Sequence, residues 1–265
     1  MPIRKLKTKK KKSNIANRIQ PVNELDENLV MLVYGKSDSG KTEFGSTWPT
    51  PILFLGFNEK GTATIKNKPD VDIIELEKWA DFEELYWHLK KGTQYRSIIL
   101  DQITSAQGFC IDYVRKKTKK KPSDTFSQKN WGQLSGLMKT QVESYRNLSD
   151  QYNVCFLAHE RTFKTTINDD DEDLGVIDPF VGAAIIPSLN TFTTGAVTAI
   201  GNTFIREEWI QEGKEEKRIV EFCMRTGPSA YYFTKIRRPV EAGPVDEYIV
   251  NPTYKKIKAL INGES

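Results

Sequence analysis

The segment Gly35-Lys36-Ser37-Asp38-Ser39-Gly40-Lys41-Thr42 follows the pattern G-x-x-x-x-G-K-[ST]. Its glycines let the backbone curl until successive N–H groups surround an anion, so Gly35, Ser37, Asp38, Ser39 and Gly40 are expected to cradle phosphates. Lys41 adds a cation for the β- and γ-phosphates, and the Thr42 hydroxyl is suited to ligating Mg2+. A helix opening at the lysine would aim the positive end of its dipole at the same anion. Such a loop needs a second acid for the metal, held at the end of a neighbouring hydrophobic strand, because ligands gather at the carboxyl ends of parallel strands. Ser97-Ile98-Ile99-Leu100-Asp101 fits, and Asp101 would hold the ion through its water shell. A cap on the next helix is the competing reading of Asp101.

These residues need a scaffold, and the hydrophobic pattern supplies one. Leu29–Tyr34, Pro51–Phe57, Val71–Leu76, Ser97–Asp101 and Asn153–Ala158 are short apolar runs bounded by charge, glycine or proline, the signature of buried strands. Between them, Glu77–Lys91 places Trp79, Phe82, Leu85, Tyr86 and Leu89 at helical spacing. Trp131, Leu134, Met138, Val142, Tyr145 and Leu148 do the same over a longer stretch, which seats Trp131 on the packed face of its helix. Alternation of strand and helix predicts an α/β fold: a mostly parallel sheet flanked by helices. Beyond about residue 195 the texture changes. Ala196–Ile210, Lys217–Met224 and Ala230–Ile236 read as three strands with no room for a crossover helix, so an antiparallel β-meander is expected there. A terminal helix is expected over Asn251–Asn262. This divides the chain into a basic tail and possible neighbour-docking segment at 1–28, a core at 29–240 and an extension at 241–265.

Composition excludes several classes. The 265 residues include 39 Lys plus Arg and 35 Asp plus Glu, a net charge of +4. Residues 1–12 alone carry +7, leaving the rest slightly acidic. A second basic cluster comprises Arg115, Lys116, Lys117, Lys119, Lys120 and Lys121, opposed by the acidic run Asp169–Asp173. Like-charge blocks of this kind are either solvated segments or polyanion contacts. No apolar run approaches the ~20 residues of a membrane span, so no membrane partner is expected. The basic N-terminus lacks the apolar stretch of a secretory signal. Three widely spaced cysteines match no zinc pattern and suit reduced thiols in a cytoplasm.

The order of motifs resembles a known family. The phosphate loop, Phe54–Gly61 (FLGFNEKG), Ser97–Thr104 (SIILDQIT), Asn153–Phe163 (NVCFLAHERTF) and Phe233–Pro239 (FTKIRRP) together resemble the ATPase core of the RecA/UvsX recombinases. The likeness is nearest to short phage-encoded RecA-like proteins of single-strand annealing and recombination, and it spans roughly Leu29 to Pro239. The resemblance implies an ATPase using ATP and Mg2+ and stimulated by single-stranded DNA. It implies that Glu59 activates the attacking water, that His159 senses the γ-phosphate, and that Lys235 and Arg237 reach a neighbouring subunit's nucleotide. It further implies homo-oligomers, as filament or ring, and work beside a single-strand-binding protein in a cell's cytoplasm. DNA would be met by two loops. One contains the basic cluster with Phe126 and Trp131, and the other begins at Arg161 and Lys164. The acidic run departs from the family's pattern in that second loop. Two rival readings stay open: a replicative-helicase-like motor on the same fold, and a DNA-binding accessory protein whose nucleotide acts only as a switch.

Overall fold

The computed structural model describes residues 28–58, 61–163, 180–212 and 215–264. Glu59, Lys164, the basic tail and the acidic run Asp169–Asp173 lie outside the described residues. In chain order the elements are β1 (Val30–Gly35), α1 (Lys41–Ser46), β2 (Ile52–Gly56), β3 (Val71–Glu75), α2 (Trp79–Lys90), β4 (Ser97–Asp101) and α3 (Ile103–Lys117). There follow α4 (Gln128–Arg146), β5 (Asn153–Phe163), β6 (Phe180–Ala183), α5 (Pro187–Ala196), β7 (Ala199–Glu212), β8 (Glu215–Arg225), β9 (Lys235–Ile236), β10 (Tyr248–Val250) and α6 (Tyr254–Asn262).

One sheet carries the fold, in the order β10-β8-β7-β1-β5-β4-β2-β3. From β7 to β3 every neighbouring pair is parallel. The expected α/β architecture, a mostly parallel sheet flanked by helices with antiparallel strands toward the C-terminus, is therefore present. Its central strands read as unbroken apolar runs because both faces are covered. Leu32, Leu53, Leu55, Ile98, Leu100, Val154 and Phe156 pack on one face with residues of α2, α3, α4 and α5. Met31, Val33, Ile52, Phe54, Ile99, Cys155 and Leu157 point to the other, where Phe44 of α1, Trp48 and Ile257 of α6 cover them.

The C-terminal third differs from its expected form. β7 is no member of a free meander: it lies parallel to β1, with Met31 opposite Ala199 and Gly35 opposite Thr203. The crossover that makes this possible is α5, a helix the sequence pattern did not announce. β7 and β8 do form the expected antiparallel pair, from Asn202–Arg225 outward. The third strand expected at Ala230–Ile236 shrinks to the two residues of β9, which pair with Ala199 and Ile200. The segment 241–265 adds β10 to the edge of the sheet, where Ile249 faces Met224. It also lays α6 against α1: the Tyr254 N–H donates to Thr47 Oγ1 at 2.9 Å, and the Trp48 and Tyr254 rings lie 5.1 Å apart.

Candidate nucleotide-binding site

The site is built where β1 ends. Asp38 and Gly40 both take the left-handed conformation, with φ of 59° and 86°. Two such residues within three positions turn the chain back from the strand into α1, and the glycine does so without a Cβ penalty. Gly35 is confined for a different reason: a Cβ there would run into the Thr203 hydroxyl and carbonyl on β7. The loop is fastened to that strand through Ser39, whose hydroxyl lies 2.7 Å from Thr203 Oγ1 and donates to Lys36 O at 2.7 Å. Ser37 and Asp38 form the exposed crest of the turn.

Lys41 is 5% exposed. Its ammonium curls over the loop and donates to the carbonyls of Gly35 at 3.1 Å and Lys36 at 2.6 Å. The Thr42 hydroxyl donates to Asp101 Oδ2 at 2.8 Å across 59 residues of sequence. Two oxygen donors, one ionised, meet at the carboxyl ends of β1 and β4, the donor set that a hard Mg2+ ion takes. Asp101 does not occupy the capping position; Gln102 does, and its side chain makes no cap bond to α3.

β5 runs between β1 and β4, so its end emerges between the phosphate loop and Asp101. His159 sits there, level with Gly35. Its N–H donates to Thr104 Oγ1 at 3.1 Å and its carbonyl accepts from Ala184 N at 2.7 Å. Glu75 was not among the site residues expected from sequence. It ends β3 in the row Asp101–Gly56–Glu75, and its carboxylate lies over Gly56, where a side chain would collide with it.

Lys235 is tied to its own chain. Its ammonium donates to Thr194 O at 2.6 Å and Val197 O at 2.7 Å, at the C-terminal end of α5. Burial, then the neighbouring Arg237 charge, lowers its pKa. Arg237 itself is exposed. Two-residue β9 thus leaves Lys235 facing inward to carbonyls and Arg237 outward to solvent.

The basic cluster occupies the last turn of α3 (Arg115, Lys116, Lys117) and the turn after it (Lys119, Lys120, Lys121). Cations suit that position because a helix ends on its negative pole. The Arg115 guanidinium lies 5.3 Å from the Phe126 ring, and that ring lies 5.1 Å from Trp131. Trp131 does not pack on its helix as its spacing suggests; it is 45% exposed. It lines a cavity of about 520 Å³ together with Arg161, Gln107 and Ile185–Ser188. Arg115, Phe126 and Trp131 form a run of neighbouring groups, and Trp131 shares the cavity with Arg161, the first residue of the second segment expected to meet DNA.

A polar network also joins the strand ends. The Asn202 amide donates to Tyr34 O at 3.3 Å and to Glu160 Oε2 at 3.2 Å, and Arg225 donates to Asn202 Oδ1 at 2.8 Å. The Arg225 guanidinium lies between the Phe204 and Tyr232 rings, 3.7 and 4.0 Å from their centroids. Nothing in the local sequence marks these residues; only the strand order makes them neighbours.

A family model described as "AAA domain" matches residues 27–237. No curated protein sequence matches the chain significantly. Among solved structures, the chain is similar to the flagellar accessory protein FlaH from Methanocaldococcus jannaschii, at 10% identity, with 84% of each chain covered and a TM-score of 0.43.

Proposed function

The chain belongs to the AAA domain family, and from that premise we propose that it binds and hydrolyses ATP and couples the reaction to single-stranded DNA, in recombination or annealing. The observation that carries the ATPase reading is the Thr42–Asp101 hydrogen bond beside the phosphate loop. It joins the two oxygen ligands that a magnesium–nucleotide site requires, from strands that only the fold makes adjacent. Mg2+ bound there would neutralise charge on the β- and γ-phosphate oxygens. Lys41 offers its ammonium to the same phosphates on exchanging its present carbonyl partners for them. His159, placed between Gly35 and Asp101, is suited to sensing the terminal phosphate. Glu59 is the proposed base that orients and deprotonates the attacking water.

The reading toward single strands rests on the run Arg115–Phe126–Trp131–Arg161. Guanidinium groups neutralise backbone phosphate, and a half-exposed tryptophan at a concavity offers a stacking surface that every base can use. Self-association into a filament or ring, with Arg237 turned toward a neighbour, and cooperation with a single-strand-binding protein belong to the same proposal. So does action in the cytoplasm; among the described residues, no helix is long and apolar enough to cross a membrane.

Fluorescence anisotropy of a labelled oligothymidylate, with Mg2+ and ATP, tests the coupling. The parent should bind single strands more tightly than duplex, and Trp131→Ala should weaken binding by about 5- to 100-fold, the usual worth of a stacking platform. Equal affinity for duplex and single strand, with no effect of Trp131→Ala, would remove the DNA half of the proposal and leave the nucleotide half standing.

A further inference from the structure

The strand order fixes which way a bound nucleotide must lie. Asp101 and Thr42 would hold the metal end of the site on the β5–β4 side of the phosphate loop. A nucleoside triphosphate is elongated, so with its terminal phosphates drawn to that side its sugar and base must leave over the other, across β7 and β8. The loop is already fastened to β7 on that side through Ser39 and Thr203.

Phe222 of β8 lies there. Its ring rests against the loop at Gly40, where an added Cβ would come within 3.0 Å of Cδ1. Strand alternation puts Phe222 on the same face as buried Met224, the face that α1 covers. Yet the ring is 44% exposed, and Ile205, directly opposite on β7, is 40% exposed. A flat aromatic ring that touches the phosphate loop and is extended by an aliphatic neighbour matches the face of a nucleobase in size, polarity and place.

We propose that Phe222, extended by Ile205, is the platform on which the base of the bound nucleotide stacks. The proposal rests on the nucleotide reading of the phosphate loop and adds to it the residue that recognises the nucleoside. Gly40 then serves two purposes: it takes the left-handed turn, and it lets the ring lie flush with the loop.

The test compares a ligand that has a base with one that has only phosphates. Calorimetric titration of the full chain with ADP and with inorganic pyrophosphate, which has the same two phosphates and no base, both with Mg2+, should show tighter binding of ADP. Phe222→Ala should weaken ADP by about 5- to 100-fold while leaving pyrophosphate unchanged, and Phe222→Trp should keep the parental ADP affinity. Equal loss for both ligands would mean that the ring only supports the loop, and overturns the platform. Unchanged ADP affinity in Phe222→Ala overturns it too, including the case in which that variant instead alters self-association because a second copy covers the ring. A parent that binds ADP no better than pyrophosphate would likewise overturn it. A parent that binds neither would instead remove the nucleotide reading beneath it.

Discussion

The Thr42 hydroxyl and the Asp101 carboxylate make the shortest statement of what this site can do: a donor and an ionised acceptor 2.8 Å apart, with Lys41 beside them. The site also needs a base. Glu59 is the residue that the resemblance to the RecA/UvsX recombinases implies, and Glu75 leans over Gly56 from the row that holds Asp101. Glu59→Gln should bind ATP and hydrolyse it about 10²- to 10⁴-fold more slowly, with Glu75→Gln close to the parent. Steady-state phosphate release separates them, and the opposite ranking would transfer the role to Glu75. Lys235 permits a prediction about stability. Lys235→Met deprives two carbonyls of their shared donor and should cost about 1–3 kcal/mol in urea unfolding. Because burial lowers this lysine's pKa, the unfolded chain binds that proton more tightly than the folded one. The parent should therefore gain stability relative to Lys235→Met as pH rises toward 10.5, lysine's ordinary value. A gap that is flat or narrowing with pH would contradict the buried-ammonium account.

Among the elements, the helices carry glycine where nothing requires it. Gly132 and Gly136 lie on the exposed side of α4, and a Cβ at either would meet open space. Gly132→Ala and Gly136→Ala should each stabilise the protein by about 0.5–1 kcal/mol, whereas Gly35→Ala should destabilise it because its obstacle includes backbone. Thermal melts of the three variants give the comparison. The same contrast explains what the sequence disclosed. β1 to β5, α2 and α4 were legible because continuous apolar runs and helical spacing leave little choice once both faces of a sheet are buried. α5 was not: its sequence PSLNTFTTGA is rich in Thr, with Asn and Gly, which are weak helix formers. Burial of Leu189, Asn190 and Thr193 supports it instead. The run Ala230–Ile236 failed in the other direction. Its aromatic, strand-like composition is real, but Tyr232 is engaged with the Arg225 guanidinium and makes a single parallel bridge to Val181, and only Lys235 and Ile236 pair with β7. The phosphate loop was legible in full and Asp101 by its strand. Phe222 was not, because alternation says that it faces α1 but not that β8 passes beside Gly40.

For the molecule as a whole, charge and assembly matter most. At the end of α3, Arg115 meets Phe126 and through it Trp131, so on the proposed single-strand reading the lysines of the turn that follows should bind DNA phosphates. Replacing Lys119 and Lys121 by Ala should flatten the slope of log K against log salt by roughly 0.7 for each phosphate that is no longer neutralised. An unchanged slope would return the cluster to the solvent. The exposed Arg237 permits a test of assembly: mixing Arg237→Ala with Lys41→Ala protein should restore part of the activity that each lacks alone. Absence of rescue in mixtures that co-assemble would confine Arg237 to its own subunit.

The proposed function has two halves, a magnesium–ATP site at Thr42 and Asp101 and a surface for single strands around Trp131. Phosphate release by the full chain, with and without single-stranded DNA, in the parent and in Asp101→Asn, tests both at once. Magnesium-dependent turnover should rise when single strands are added and fall by about 100-fold or more in Asp101→Asn. Turnover that ignores both the DNA and the Asp101 substitution would overturn that proposal.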